Sequence, residues 1–335
     1  MRLFVLSSLL SAVALVAFAA DSTGYKVTSR FHVPGDGGWD YITYDGSANR
    51  LYVSHGTEVD VLDASDGKIL GKIEDTPGVH GIAIIPKLHR GFTTNGREAK
   101  VSMFDTRTFK TIKKISTAED PDFIFYDAAS DRVFVDNGDA QQTTAIDPRK
   151  GEVIGKVALG GSPEAAVSDG KGTVYVNLED KAEIVRFDAK TLELKPGAWP
   201  IPECKGPTGI AMDTRNERLF TGCHSKVMGV LDATTGKSLA TLPIGAGVDA
   251  AAFDAADKLA FASTRDGGVT VVHEDSPDKF EVVETIRTQE GARTMALDAK
   301  SKKLFLPTAE FEPLQPGERR PKLKPGTFTV LVVSK

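Results

Sequence analysis

The chain has 335 residues, of which 41% are hydrophobic and 26% charged, and its net charge is −5. That balance belongs to a globular protein and argues against general nucleic-acid binding, which draws on an excess of Lys and Arg to neutralise phosphates. The 32 glycines suit an all-β chain with many turns.

Residues 1–19 read as an export leader. Arg2 supplies the positive end, residues 3–16 are almost continuously apolar, and Ala17-Phe18-Ala19 gives a small-x-small cleavage pattern. An uncleaved anchor fits less well, because the run is short and no basic cluster follows it. Removing the leader takes away one charged residue, Arg2, so the remainder stays acidic. The expected location is the periplasm or the medium, with no membrane span in the mature chain.

The remaining chain, residues 20–335, repeats. Aromatic residues at Tyr52, Phe92, Phe134, Tyr175, Phe220, Phe261 and Phe305 follow one another at intervals of 40 to 45 residues. A second marker trails most of them by 11 to 13 positions: Asp63, Asp105, Asp147, Asp188, Asp232 and, less regularly, Glu274. A period of that length built from short strands is a four-stranded blade, and seven of them make a single seven-bladed β-propeller of antiparallel sheets. In the first repeat, residues 39–44, 50–54, 58–62 and 68–74 are the four predicted strands, separated by turn formers. Asp63, Asp147 and Asp232 each stand four residues before a Gly, and Asp45, Asp127, Asp169, Asp213, Asp254 and Asp298 open the preceding turn. Asp in such places accepts backbone N–H bonds, so these acids are assigned to turns rather than to a site. The last repeat is one strand short, and residues 25–33 lie where every other repeat has its fourth strand. Closing the ring with this N-terminal strand pairs both sheet edges, and a monomer is expected.

Cys204 and Cys223 are the only cysteines. The repeat places them at one end of adjacent strands of blade five, where a disulfide fits an oxidising compartment. A metal role for Cys223 beside His224 is the alternative.

Val174-Tyr175-Val176-Asn177, Leu51-Tyr52-Val53-Ser54 and the Gly161-Ser162-Pro163 lead into a blade resemble the YVTN-type β-propeller repeat family over essentially all of residues 21–335. The resemblance implies an exported or surface seven-bladed propeller. More distant relatives of that family include quinoprotein amine dehydrogenase heavy chains and the haem d1 domain of nitrite reductase.

Loops that join strand four to strand one rim the central channel, and ligand sites of such rings lie there. The repeat register puts Asp40, His80, Asp122, Glu164, Thr208, Asp249 and Arg293 around that rim, as candidate ligand-binding residues. Four carboxylates at one mouth attract a cation or hold protons. Arg293 is expected to neutralise Asp40 or Asp249, and a divalent cation is the candidate cofactor. An outer ring follows from the same register: His55, Asn95, Asn137, Glu179, His224, Thr264 and Arg265. Residues 310–326 form an insert in the last blade whose four prolines oppose regular structure. Arg319, Arg320, Lys322 and Lys324 make it a candidate lid for the acidic mouth, a partner-docking arm or simply a surface loop.

No Gly-x-Ser-x-Gly, Cys-x-x-Cys-His or His-Glu-x-x-His motif occurs. The expectation is therefore an exported binding or scaffold module with no assigned catalytic residue, taking a small ligand, a cation or a protein partner at the channel mouth. The alternative is a metal-dependent propeller hydrolase or lactonase. In it Glu164, Asn137 and Asp249 would hold the cation, with Asp122 or His80 as base.

Overall fold

The computed structural model describes residues 23–315, 317–318 and 321–335, so the predicted leader, residues 1–19, lies outside the described residues. Seven four-stranded antiparallel sheets follow one another around a ring. Six are consecutive in sequence. The first comprises β2 (Ile42–Asp45), β3 (Arg50–His55), β4 (Glu58–Asp63) and β5 (Ile69–Ile73), from channel to rim. The seventh has the order β1-β28-β27-β26, in which β1 (Lys26–His32) pairs with β28 (Thr329–Ser334), followed by β27 (Lys303–Thr308) and β26 (Ala296–Asp298). The N-terminal strand thus completes the last blade, as the missing strand predicts.

The periodic aromatics hold the ring together. Each is the third residue of a second strand and is buried between neighbouring sheets. Phe134, for example, meets Phe187 edge-on at 5.2 Å and Phe125 at 5.5 Å. Between blades seven and one, Phe305 and Val330 pack with Ile42 and Leu51, so the closing seam is as apolar as the others. Each fully buried aromatic contributes roughly 2–3 kcal/mol by burial.

The turn acids behave as their spacing predicts. Asp63, Asp105, Asp147, Asp188 and Asp232 each accept a backbone N–H two residues on, at 2.8–2.9 Å. Asp45, Asp127, Asp169, Asp213, Asp254 and Asp298 cap the other turn at 2.7–3.1 Å. Glu274 departs from the pattern: it is buried and takes an N–H from the Asn216 side chain at 2.9 Å. Gly236 shows why glycine closes these turns. Its φ is +75°, and a Cβ there would lie 2.4 Å from the Trp199 ring.

Cys204 and Cys223 form a disulfide with Cα atoms 5.4 Å apart, which rules out a metal-ligating or reactive Cys223 thiol. The insert departs from expectation, because its base pairs. Phe311 bridges Leu323, and the backbone N–H groups of Lys324 and Glu312 donate to Glu310 and Lys322 carbonyls at 2.8 Å. The prolines lie outside that two-residue rung. Among the described residues no helix is long and apolar enough to cross a membrane.

Candidate functional site

A bulge creates the rim. In blades two to six the first strand begins with Val79, Pro121, Pro163, Pro207 or Val248, and its register against strand two slips immediately afterwards. His80, Asp122, Glu164, Thr208 and Asp249 are the residues at those slips. A bulge bends the strand and re-aims a side chain, so five rim residues are delivered by one repeated device. In blades one and seven the strand starts later, at Ile42 and Ala296, beyond the rim residues Asp40 and Arg293. Asp40 and Arg293 therefore approach on loop backbone. Asp40 is fixed there by its N–H to Ser54 Oγ (2.8 Å) and by Thr294 Oγ1 donating to its carbonyl (2.5 Å).

Five of the seven predicted residues form one electrostatic cluster, and a sixth joins it through charge. Arg293 bridges two blades, its Nη2 donating to Asp40 Oδ1 at 3.0 Å and its Nε lying 2.6 Å from Asp249 Oδ2. His80 Nδ1 is hydrogen-bonded to Asp40 Oδ2 at 2.6 Å and lies 3.5 Å from Asp122 Oδ1. Ligand atoms of Asp40, His80 and Asp122 all fall within 4.8 Å of one another. Glu164 lies within the field of four other acids, Asp122, Asp249, Glu179 and Asp40. Burial first, then the charges of Asp122 and Asp249, push its pKa to about 10. Burial and the charges of Asp40 and Asp249 likewise raise Asp122 well above the usual carboxylate range. Asp249 rises only to about 6, because Arg293 opposes its burial. Burial works against a charge on His80, but the bond to Asp40 and the surrounding acids outweigh it and raise the imidazole's pKa.

Thr208 is placed differently. It is buried, and its hydroxyl donates to the Val248 carbonyl at 2.8 Å, tying blade five to blade six. Asn137 is likewise not brought to Glu164 and Asp249. Its carboxamide is consumed in its own blade, donating to the Ala118 carbonyl at 3.0 Å and accepting from Thr144 Oγ1 at 2.8 Å. The side chain is buried and pins the loop entering blade three, while the ligating atoms that lie within 4.8 Å of one another at the rim are those of Asp40, His80 and Asp122.

Tyr41 was not singled out by the sequence pattern. It follows Asp40 at a step where blades two, four, five and six carry Gly81, Ala165, Gly209 and Ala250. Burial and the charges of Asp122, Glu164, Asp40 and Asp249 hold its phenol protonated far above the usual range, which leaves an O–H donor beside the acids.

A second cluster of ligating atoms, His55, Glu58 and Asp60, already has its cation. Lys72 Nζ lies 2.5 Å from Glu58 Oε1 and 3.5 Å from Asp60 Oδ1. In the outer ring, His224 Nδ1 stands 3.7 Å from Glu179 Oε1. The insert's charges are also spent locally, since Lys322 pairs with Glu318 and Lys324 with Glu310, each at 2.8 Å. Arg319 and Arg320 lie outside the described residues.

The rim residues are latched from behind. The fifth residue of a second strand reaches the next blade: Thr94 donates to the Asp122 carbonyl (2.5 Å), Asn177 to the Thr208 carbonyl (2.7 Å) and Ser263 to the Arg293 carbonyl (2.5 Å). Blade three has Asp136 at that register. Its Oδ1 accepts from Thr143 Oγ1 at 2.5 Å, while Oδ2 is buried without a hydrogen-bond partner among the described residues. Burial pushes this acid to about 7, and the Thr143 bond offsets part of the rise.

No protein-family model matches the chain. Two relatives, the uncharacterized proteins YncE of Salmonella typhi and of Salmonella typhimurium, are each 26% identical over 202 residues, covering 58% of this chain and 56% of theirs. The chain thus matches about half the length of those relatives. Among solved structures, a chain of hydrazine synthase from Kuenenia stuttgartiensis superposes with a TM-score of 0.71 at 16% identity, covering 82% of this chain and 94% of the other. A chain of a mitotic checkpoint complex gives a TM-score of 0.74 at 13% identity, with coverages of 91% and 96%. At those identities the likeness is one of fold, and what all these comparisons share with the geometry is a seven-bladed β-propeller with distant propeller relatives.

Proposed function

We propose that this chain is an exported ligand-binding propeller that takes a small cation at its channel mouth. The observation that carries the reading is the charge imbalance at Asp122 and Glu164. Arg293 serves Asp40 and Asp249, and His80 serves Asp40. Asp122 Oδ1 is left buried with no hydrogen-bond donor among the described residues, beside a Glu164 pushed to about 10. Acids so placed hold a proton until a cation replaces it. Two carboxylates and an imidazole within 4.8 Å suit a divalent transition metal, and the acids alone suit an organic cation. Export is supported by the leader pattern and by the disulfide.

The test is calorimetric titration of chelator-free protein with Ca²⁺, Mn²⁺, Zn²⁺ and tetramethylammonium. Binding should release protons, seen as a heat that depends on the buffer's ionisation enthalpy. It should be lost in the Asp122→Asn/Glu164→Gln double variant. Failure of every cation to bind at millimolar concentration contradicts the reading.

A further inference from the structure

We infer that the ligand of this mouth is an organic cation with an apolar body, the charge resting in the acidic rim and the body descending into the channel. This rests on the cation reading above and adds what the channel contributes. A cavity of about 360 Å³ is lined by Asp249 of the rim and by residues of the blades' first strands. That volume falls at the small end of ordinary small-molecule sites. Beyond Asp249 and Thr43 the side chains of the wall are mostly apolar or aromatic: Tyr41, Ile82, Phe123, Phe125 and Met295 among them.

The aromatic wall is an organised one. Tyr41 meets Phe123 edge-on at 5.5 Å, and Phe123 meets Phe125 at 5.9 Å. The same lining includes the small residues Ala165, Gly209, Ala250 and Ala251, which take up little of the space. A hydrated metal ion gains nothing from such a wall. An ammonium carrying alkyl or aryl groups gains twice, because aromatic faces attract the cation and the apolar body leaves water. The Tyr41 ring is the joint between the two regions. Tyr41 directly follows Asp40 of the rim in sequence, and its ring forms part of the channel lining.

The experiment titrates the full chain with tetramethylammonium and then with butyl- and hexyltrimethylammonium, at a pH above neutrality. These probes keep their charge at every pH and do not coordinate as metals do. Affinity should rise about fourfold per added methylene until the channel is filled. Ala250 lines the cavity, and Ala250→Leu narrows it. It should flatten that dependence while tetramethylammonium still binds, with an unchanged melting curve showing that the variant folds. If affinity is independent of chain length, the channel has no part and the inference falls, while the mouth reading stands. Binding of metals without tetramethylammonium also overturns the inference. If neither binds, the cation reading itself is wrong.

Discussion

Asp136→Asn should stabilise the protein at pH 8 and leave it nearly unchanged at pH 4. The carboxyl is fully buried, and its pKa is raised from 3.8 to about 7 by burial. Below about pH 4 the folded and unfolded chains both hold the proton, so the group costs nothing. Between there and pH 7 the unfolded acid ionises while the folded one keeps its proton, and stability falls as pH rises. Above pH 7 the loss is complete. A rise of about three pH units at ~1.4 kcal/mol each sets a ceiling of about 4 kcal/mol. No charged neighbour contributes to this shift, so the effect belongs to one residue rather than to the acidic rim. Asn fits the place, because Asn177 occupies the same register in blade four and donates to the rim residue of blade five. The assay is urea unfolding of wild type and variant at intervals from pH 4 to 8. The variant's gain should grow along that series. An equal pH dependence in both proteins, or a variant less stable at pH 8, refutes the buried neutral acid.

Three further outcomes follow from the fold. Phe134→Ala should cost about 3–5 kcal/mol in the same unfolding assay, since the ring is fully buried against Phe125 and Phe187. Replacing Cys204 and Cys223 together by Ala should cost about 3 kcal/mol, the loop-closure value for a sequence separation of 19, and a difference near zero would show the bridge to be dispensable. Deleting β1 exposes the unpaired edge of β28. Light scattering should then find unfolded or self-associated chain, and a monomer with the parent melting temperature would contradict the closure.

The blades were legible because two unrelated requirements share their period. An aromatic must fill each gap between sheets, as Phe220 does, and an Asp must satisfy each turn's N–H groups, as Asp232 does. The missing fourth strand of the last repeat made the ring closure legible too. The site was legible only as a set of positions. Register places Thr208 beside Asp249, yet the Thr208 hydroxyl turns to the Val248 carbonyl, because a small hydroxyl next to a neighbour's backbone satisfies that acceptor first. The Asn137 amide shows the same preference, with local partners in the Ala118 carbonyl and the Thr144 hydroxyl. The register slip that aims His80 follows an ordinary Val79, whereas a proline precedes the slip at Asp122, and Tyr41 looks in sequence like one more strand aromatic. At the insert's paired base, Phe311 also meets Trp39 at 6.2 Å, a contact between residues far apart in sequence.

Carbon-13 NMR of the Glu side-chain carboxyls, followed through a pH titration with and without cation, examines the mouth most directly. Glu164 should titrate near 10 in the free protein, and its titration should move to lower pH when tetramethylammonium or a divalent ion is bound. A Glu164 that titrates at the ordinary carboxylate value in the free protein, and does not respond to any cation, would contradict the account.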